Sequence, residues 1–339
     1  MKINYLQILI LCLACFFPAP FSAQSFKDEA DKFLQNMPVG LQDHQRDAIK
    51  MAIQGDNTAL EKVRKGRNAS LSLNEKIKIT DISSTLRLYE LKDETAEKLP
   101  LLIYLHGGGW TIGSINSCAR FCSELAATGK AKVLAVEYRL APENPYPAGL
   151  DDCVAALQFA QQHAAEWGCD VDLISVGGDS SGGNLAIATA LRMIAEKGNV
   201  PHSLLLFYPV VSAWNDESDS WKENNRGMAL NGDLMDEFNR AYCWGMNGAI
   251  CEDAHQNMFI SPSVAPDSVL RRLPKALLVA AERDILRDQG AEFVQRLQVL
   301  GVDVTRNEFA GSVHLFITVA GQERAFRETV RRSAEFLKR

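Results

Sequence analysis

Residues 176–184 read Val176-Gly177-Gly178-Asp179-Ser180-Ser181-Gly182-Gly183-Asn184. The apolar run Leu173 to Gly177 precedes them and a helix-forming stretch from Gly182 to Lys197 follows. Gly178, Ser180 and Gly182 form a G-x-S-x-G pattern, and its setting between strand and helix gives the pattern meaning. A serine on a tight strand-to-helix turn projects its hydroxyl from the sheet, and glycines flank it because a Cβ there would strike a neighbouring element. The helix that starts here aims free N–H groups at developing negative charge. Phosphate binding is the rival reading of the same glycines. No Gly-Lys-Ser/Thr follows, however, and no G-x-G-x-x-G with an acidic residue beyond the next strand.

Outward from this turn, short apolar runs alternate with helix-length segments. Leu101 to Leu105, Lys132 to Tyr138, Leu173 to Gly177, Ser203 to Tyr208, Ala276 to Ala280 and Asp303 to Phe309 read as buried parallel strands. Helices are expected near Ser117 to Thr128, Gly149 to Trp167, Gly182 to Lys197, Asp288 to Gly301 and Gln322 to Leu337. The fold class is α/β, a mostly parallel central sheet with helices on both faces. Lys76 to Thr80 and Thr85 to Leu91 lack an intervening helix and suit antiparallel edge strands. Before them, Gln24 to about Asn74 shows helical periodicity, and between Val211 and Leu273 lies an insertion with a helix near Asp233 to Gly245.

The whole chain has 339 residues, 47% hydrophobic and 23% charged, with a formal charge of -6, which fits a globular protein with a large core and disfavours a nucleic-acid partner. The first residues have the layout of a secretory signal: Lys2, ten apolar residues from Ile8 to Phe17, then a small and polar stretch in which Ala23 is the candidate for the residue before the cut and Phe21 is bulkier than the small-x-small pattern prefers. The apolar run is too short to span a bilayer. Lipid attachment at Cys15 is the weaker reading. Cys118 and Cys122 resemble half a zinc site, but no cluster completes it, so neither metal nor organic cofactor is expected. Cys243 to Cys251 is the first guess for a disulfide, on short separation alone.

A second glycine-rich segment, His106-Gly107-Gly108-Gly109-Trp110, ends the strand Leu101 to Leu105. Bare glycines leave N–H groups uncovered, so Gly107 and Gly108, with the N–H of Ser181, are the expected oxyanion donors. A serine nucleophile needs a base and the base an orienting carboxylate. Among six histidines, His314 follows the last strand, where its ring can lean over the sheet. His106 suits a structural role, and His44, His163, His202 and His255 lie on helices, before a strand or in the insertion. Asp284 stands just beyond the strand Ala276 to Ala280, with Glu282 the fallback and Asp288 a cap or surface charge. The order Ser180, Asp284, His314 is that of a hydrolase on this type of sheet.

These segments, with Tyr138-Arg139-Leu140-Ala141-Pro142-Glu143, Pro147-Ala148, Leu286-Arg287-Asp288 and Phe316, resemble the hormone-sensitive-lipase-like branch of the α/β-hydrolases, the family IV bacterial esterases. The resemblance spans about residues 76 to 336. It implies an α/β-hydrolase fold with a helical cap and a serine esterase using Ser180 as nucleophile, His314 as base and Asp284 as orienting acid. Ser181, Ile285 and Leu315 stand where the family often has Ala, Pro and Gly. The expected organisation is a signal peptide over 1–23, a cap segment over 24–75, and a catalytic domain over 76–339 with a cap insertion near 212–262.

Trp110, Trp214, Trp244 and Leu315 are the expected substrate-binding residues, the tryptophans as walls and Leu315 as a constriction beside His314. Trp221, Phe238 and Tyr242 are shared between pocket and cap core. The expected partner is a small ester or an acetylated carbohydrate; a homodimer is allowed and no stable membrane span is expected. An amidase or formamidase would use the same triad, and a ligand-binding protein could keep the scaffold without the full set.

Overall fold

Strands with both faces covered read as unbroken apolar runs, and helices on either side of a sheet supply that cover. The computed structural model of the chain, which describes residues 23–67, 73–93, 98–214, 217–244, 254 and 256–338, has this arrangement. Three helices come first: α1 (Ala23–Asn36), α2 (Leu41–Ile53) and α3 (Thr58–Arg67). Then follow β1 (Ile77–Asp81), β2 (Leu86–Leu91), β3 (Leu99–Leu105), α4 (Ala119–Ala127), β4 (Lys132–Val136), α5 (Ala148–His163), β5 (Cys169–Asp179), α6 (Ser181–Ala195) and β6 (Ser203–Phe207). The insertion holds α7 (Asp219–Asn224) and α8 (Gly232–Trp244) and leads to α9 (Asp267–Leu270). The chain closes with β7 (Lys275–Arg283), α10 (Arg287–Val299), β8 (Val304–Val313) and α11 (Glu323–Phe336).

Among the described residues the sheet has eight strands in the order β1-β2-β4-β3-β5-β6-β7-β8. β1 and β2 pair antiparallel, as do β2 and β4, and all the other pairs are parallel. Of the expected edge strands, only β1 is an edge. Side chains alternate across the sheet. Leu101, Ile103 and Leu105 of β3 join one buried cluster, beneath α5 and α6, while Leu102 and Tyr104 join another against α4 and α11. This is the α/β-hydrolase architecture, with helical cover at the carboxyl ends of the parallel strands.

Three polar contacts fasten that cover. Gln42 of α2 donates to Met228 O at 2.8 Å and accepts from Asn231 N at 2.6 Å, joining α2 to the insertion. Asp31 of α1 pairs with Arg283 at 2.7 Å, at the end of β7. Arg64 of α3 makes a two-pronged pair with Glu143, both contacts 2.8 Å, and donates to Thr111 O and Ala141 O. Forked arginine contacts of this kind fix direction as well as distance. The expected leader and Cys15 lie outside the described residues, as do Cys251 and the side chain of Trp244. Among the described residues, no helix is long and apolar enough to cross a membrane.

Candidate active site

Ser180 follows the last residue of β5 and starts α6 with φ 55° and ψ -119°, a left-handed conformation that costs a non-glycine residue energy. The glycines on either side make the turn feasible. A Cβ on Gly178 would lie 2.2 Å from Leu105 O, and one on Gly182 would lie 2.0 Å from the same atom. The end of β3 therefore presses into the turn, and only glycine at both positions lets it come so close.

β7 and β8 bring the other two groups to this point. Ala281 pairs with Phe309 and Arg283 with Val313, so two steps along β7 match four along β8. Asp284 and His314 are each the next residue after that last rung and so become neighbours. The strand thus runs four residues beyond the expected end at Phe309, and His314 leaves directly from the strand end. His314 Nδ1 lies 2.5 Å from Asp284 Oδ2, and His314 Nε2 lies 3.1 Å from Ser180 Oγ. A carboxylate only accepts, so Nδ1 carries the proton and Nε2 accepts from the serine hydroxyl.

The support is equally specific. Asp284 Oδ1 accepts from Leu286 N at 3.1 Å. Gln322 donates to the carbonyls of Val313 and His314, both at 3.1 Å, and accepts from Val313 N at 2.9 Å. The ring of Tyr208 lies 4.2 Å from the imidazole, centroid to centroid. All three reacting side chains are buried. Glu282, the fallback acid, instead accepts from Gly311 N at 2.5 Å, and Asp288 accepts from Ser220 N at 2.7 Å. His106 is fully buried against Tyr138, its Nδ1 bonded to Gly107 O at 3.0 Å, and burial lowers its pKa.

One expected oxyanion donor is corrected. Gly107 N donates to Asp179 Oδ1 at 3.0 Å, so this N–H already has its acceptor. The reason is steric and electrostatic together. Asp179 lies so tightly under the loop that a Cβ on Gly107 would sit 2.2 Å from its Oδ2, and Tyr104 donates to it at 2.9 Å. Burial pushes the Asp179 pKa up while the bonds from Tyr104 and Gly107 oppose the rise. Gly108 and Gly109 instead line the cavity with Ser180 and His314. Among the described residues no protein group accepts from the N–H of Gly108, Gly109 or Ser181. The Ser181 side chain is buried beside Tyr138.

The cavity over Ser180 measures about 240 Å³. Phe33, Leu41, Leu230, Leu234, Phe238 and Leu315 are among its apolar walls. Leu315 holds φ 73°, where glycine would be unstrained, and lines the same cavity as His314. Trp110 and Trp214 are not wall residues. Trp110 is buried flat on Tyr242, ring centroids 4.4 Å apart, and Trp214 packs on the core. Stacking on Tyr242 in the buried core takes the Trp110 ring away from the cavity. Asp179, Arg67 and Gln322 were not assigned from sequence. Asp179 sat in view inside the serine motif, whereas no local signal marks the other two.

Proton removal from Ser180 by a fixed imidazole, with uncovered amides alongside, is the equipment of nucleophilic acyl transfer. A family model described as the alpha/beta hydrolase fold matches residues 102–318. The chain is 36% identical over 245 residues to the carboxylesterase NlhH of Mycobacterium tuberculosis, covering 72% of this chain and 74% of that protein. It is 33% identical to an arylesterase of Saccharolobus solfataricus, covering 71% and 76%. Among solved structures, a thermostable esterase from Pseudomonas putida superposes with a TM-score of 0.74 at 26% identity, covering 89% of this chain and 98% of that one.

Proposed function

The chain belongs to the hormone-sensitive-lipase-like branch of the α/β-hydrolase family and is a serine carboxylesterase, and on that premise we propose that it is an exported enzyme for short acyl esters, acetyl esters included. The observation that carries this reading is the cavity of about 240 Å³ with Ser180 and His314 in its wall. Pockets for larger ligands usually start near ~300 Å³. Ser180 Oγ attacks the ester carbonyl as its proton passes to His314 Nε2, and Asp284 holds the imidazole and stabilises its positive form. The N–H groups of Gly108, Gly109 and Ser181 receive the developing oxyanion, each worth about 3 kcal/mol in the transition state. His314 then protonates the departing alcohol. Water, activated by the same nitrogen, releases the acyl group from Ser180.

With 4-nitrophenyl esters from acetate to palmitate, kcat/KM should be highest at the short end and fall toward palmitate. A maximum at palmitate would contradict the short-acyl reading. Export rests on Lys2 and the apolar run Ile8 to Phe17. Expressed in a bacterial host, the protein should be recovered outside the cytoplasm with its N-terminus near residue 24 by mass spectrometry. A full-length cytoplasmic product beginning at residue 1 would refute export.

A further inference from the structure

Arg67 closes α3 and lines the cavity that holds Ser180, although the reaction described above makes no use of it. The residue also lines a second cavity of about 490 Å³ that shares Leu41, Gln45, Thr318 and Val319 with the first. It therefore stands in the wall that the two spaces share. Arg64, three positions earlier and hence on the same helix face, is the residue clasped by Glu143, so α3 is pinned with that face toward the domain.

Among the described residues, no carboxylate lies within salt-bridge distance of the Arg67 guanidinium and no acceptor hydrogen-bonds it. The residues directly after it, 68–72, read NASLS and contain no acid. Burial lowers its pKa, and the attraction of Asp179 opposes that shift through space. Asp179 is itself held by Tyr104 and Gly107. An arginine stays charged even so. Gln45, 4% exposed, brings a side-chain amide to the same two cavities, and among the described residues it too has no hydrogen-bond partner. Lys62 adds a second cation to the outer cavity, whereas among the described residues Asp179 is the one carboxylate in either lining. A half-buried cation without a partner is costly in proportion to the water it has lost, and a ligand that supplies its countercharge removes that cost.

We propose that Arg67, assisted by Gln45, is a specificity-determining residue that binds a carboxylate borne by the substrate, so that the preferred esters are anionic. This rests on the serine esterase reading above and deepens it. A guanidinium presents paired donors that match a carboxylate in two-pronged geometry, and the amide of Gln45 supplies a further donor beside it.

Two matched pairs of esters test the proposal and separate the two places the carboxylate could sit. The acyl-side pair is mono(4-nitrophenyl) adipate against 4-nitrophenyl hexanoate, corrected for spontaneous hydrolysis. The alcohol-side pair is 3-carboxyphenyl acetate against the acetate of methyl 3-hydroxybenzoate. In at least one pair the wild-type kcat/KM should favour the charged ester, and added salt should reduce that preference. Arg67→Gln should lower the charged-to-neutral ratio by about 10- to 100-fold, the scale of a charge-assisted hydrogen bond, and Arg67→Lys should recover part of it. Because the ratio is taken within each variant, a general loss of folded protein cancels, and the wild-type salt dependence stands without any variant. Ratios near one in the wild type, or ratios that Arg67→Gln leaves unchanged, would overturn the proposal while turnover of the neutral esters keeps the esterase reading. Failure of that reading looks different: no ester is hydrolysed faster by the wild type than by Ser180→Ala.

Discussion

Ser180→Ala is expected to lower kcat on 4-nitrophenyl acetate by about a millionfold, because a triad that loses its nucleophile loses the function of the other two members with it. The imidazole and Asp284 stay in place but have no hydroxyl to activate. A residual acceleration of about a thousandfold over water should survive, since the amides of Gly108, Gly109 and Ser181 still polarise a bound carbonyl. Stability should change little. The lost contact is one hydrogen bond to His314 at 3.1 Å, worth about 1 kcal/mol. Steady-state rates and a thermal melt on the same preparation separate the two effects. A variant that keeps its melting temperature and loses less than about tenfold in kcat would remove Ser180 from the nucleophile's role.

Asp284→Asn should cost about ten-thousandfold in kcat, by a different route. Asp284 Oδ1 accepts from Leu286 N at 3.1 Å, and that buried donor will keep an oxygen opposite it. The amide nitrogen of the variant must then face His314 Nδ1, where the carboxylate oxygen stood at 2.5 Å. A donor there makes Nδ1 an acceptor and moves the ring proton to Nε2. That nitrogen now points a hydrogen at Ser180 and cannot take one away. The fold should persist, so the loss belongs in kcat with the melting temperature nearly held. If activity survives within about tenfold, the orienting role lies elsewhere, and Glu282, bonded to Gly311 N, becomes the residue to test.

The parts of this architecture that were legible in sequence are those dictated by local periodicity. The six parallel strands show as apolar runs because both of their faces are covered, and α6 shows because its glycine-rich start interrupts such a run. Ser180, Asp284 and His314 could be ranked above their neighbours because each follows a strand. α7 and α9 escaped notice: six and four residues long, they are too short for a helical period to develop. The choice among three consecutive glycines was also out of reach. It depends on Asp179, 72 positions away, taking the N–H of Gly107, and no local pattern records that meeting. Trp110 and Trp214 misled for a related reason. Bulk and aromaticity suit a pocket wall and a core equally, and only packing assigned Trp110 to Tyr242.

The unequal pairing at the end of β7 and β8 bears on anyone recombining this scaffold with its relatives. Between Phe309 and Val313 the longer strand spends an even surplus, two residues, before the base leaves the sheet. Side chains on a strand alternate, so deletion of a single residue in that interval would present the imidazole to the opposite side while Asp284 stayed where it was. Crossover points for chimeras therefore belong outside 309–314, and length variation in that stretch should come in pairs.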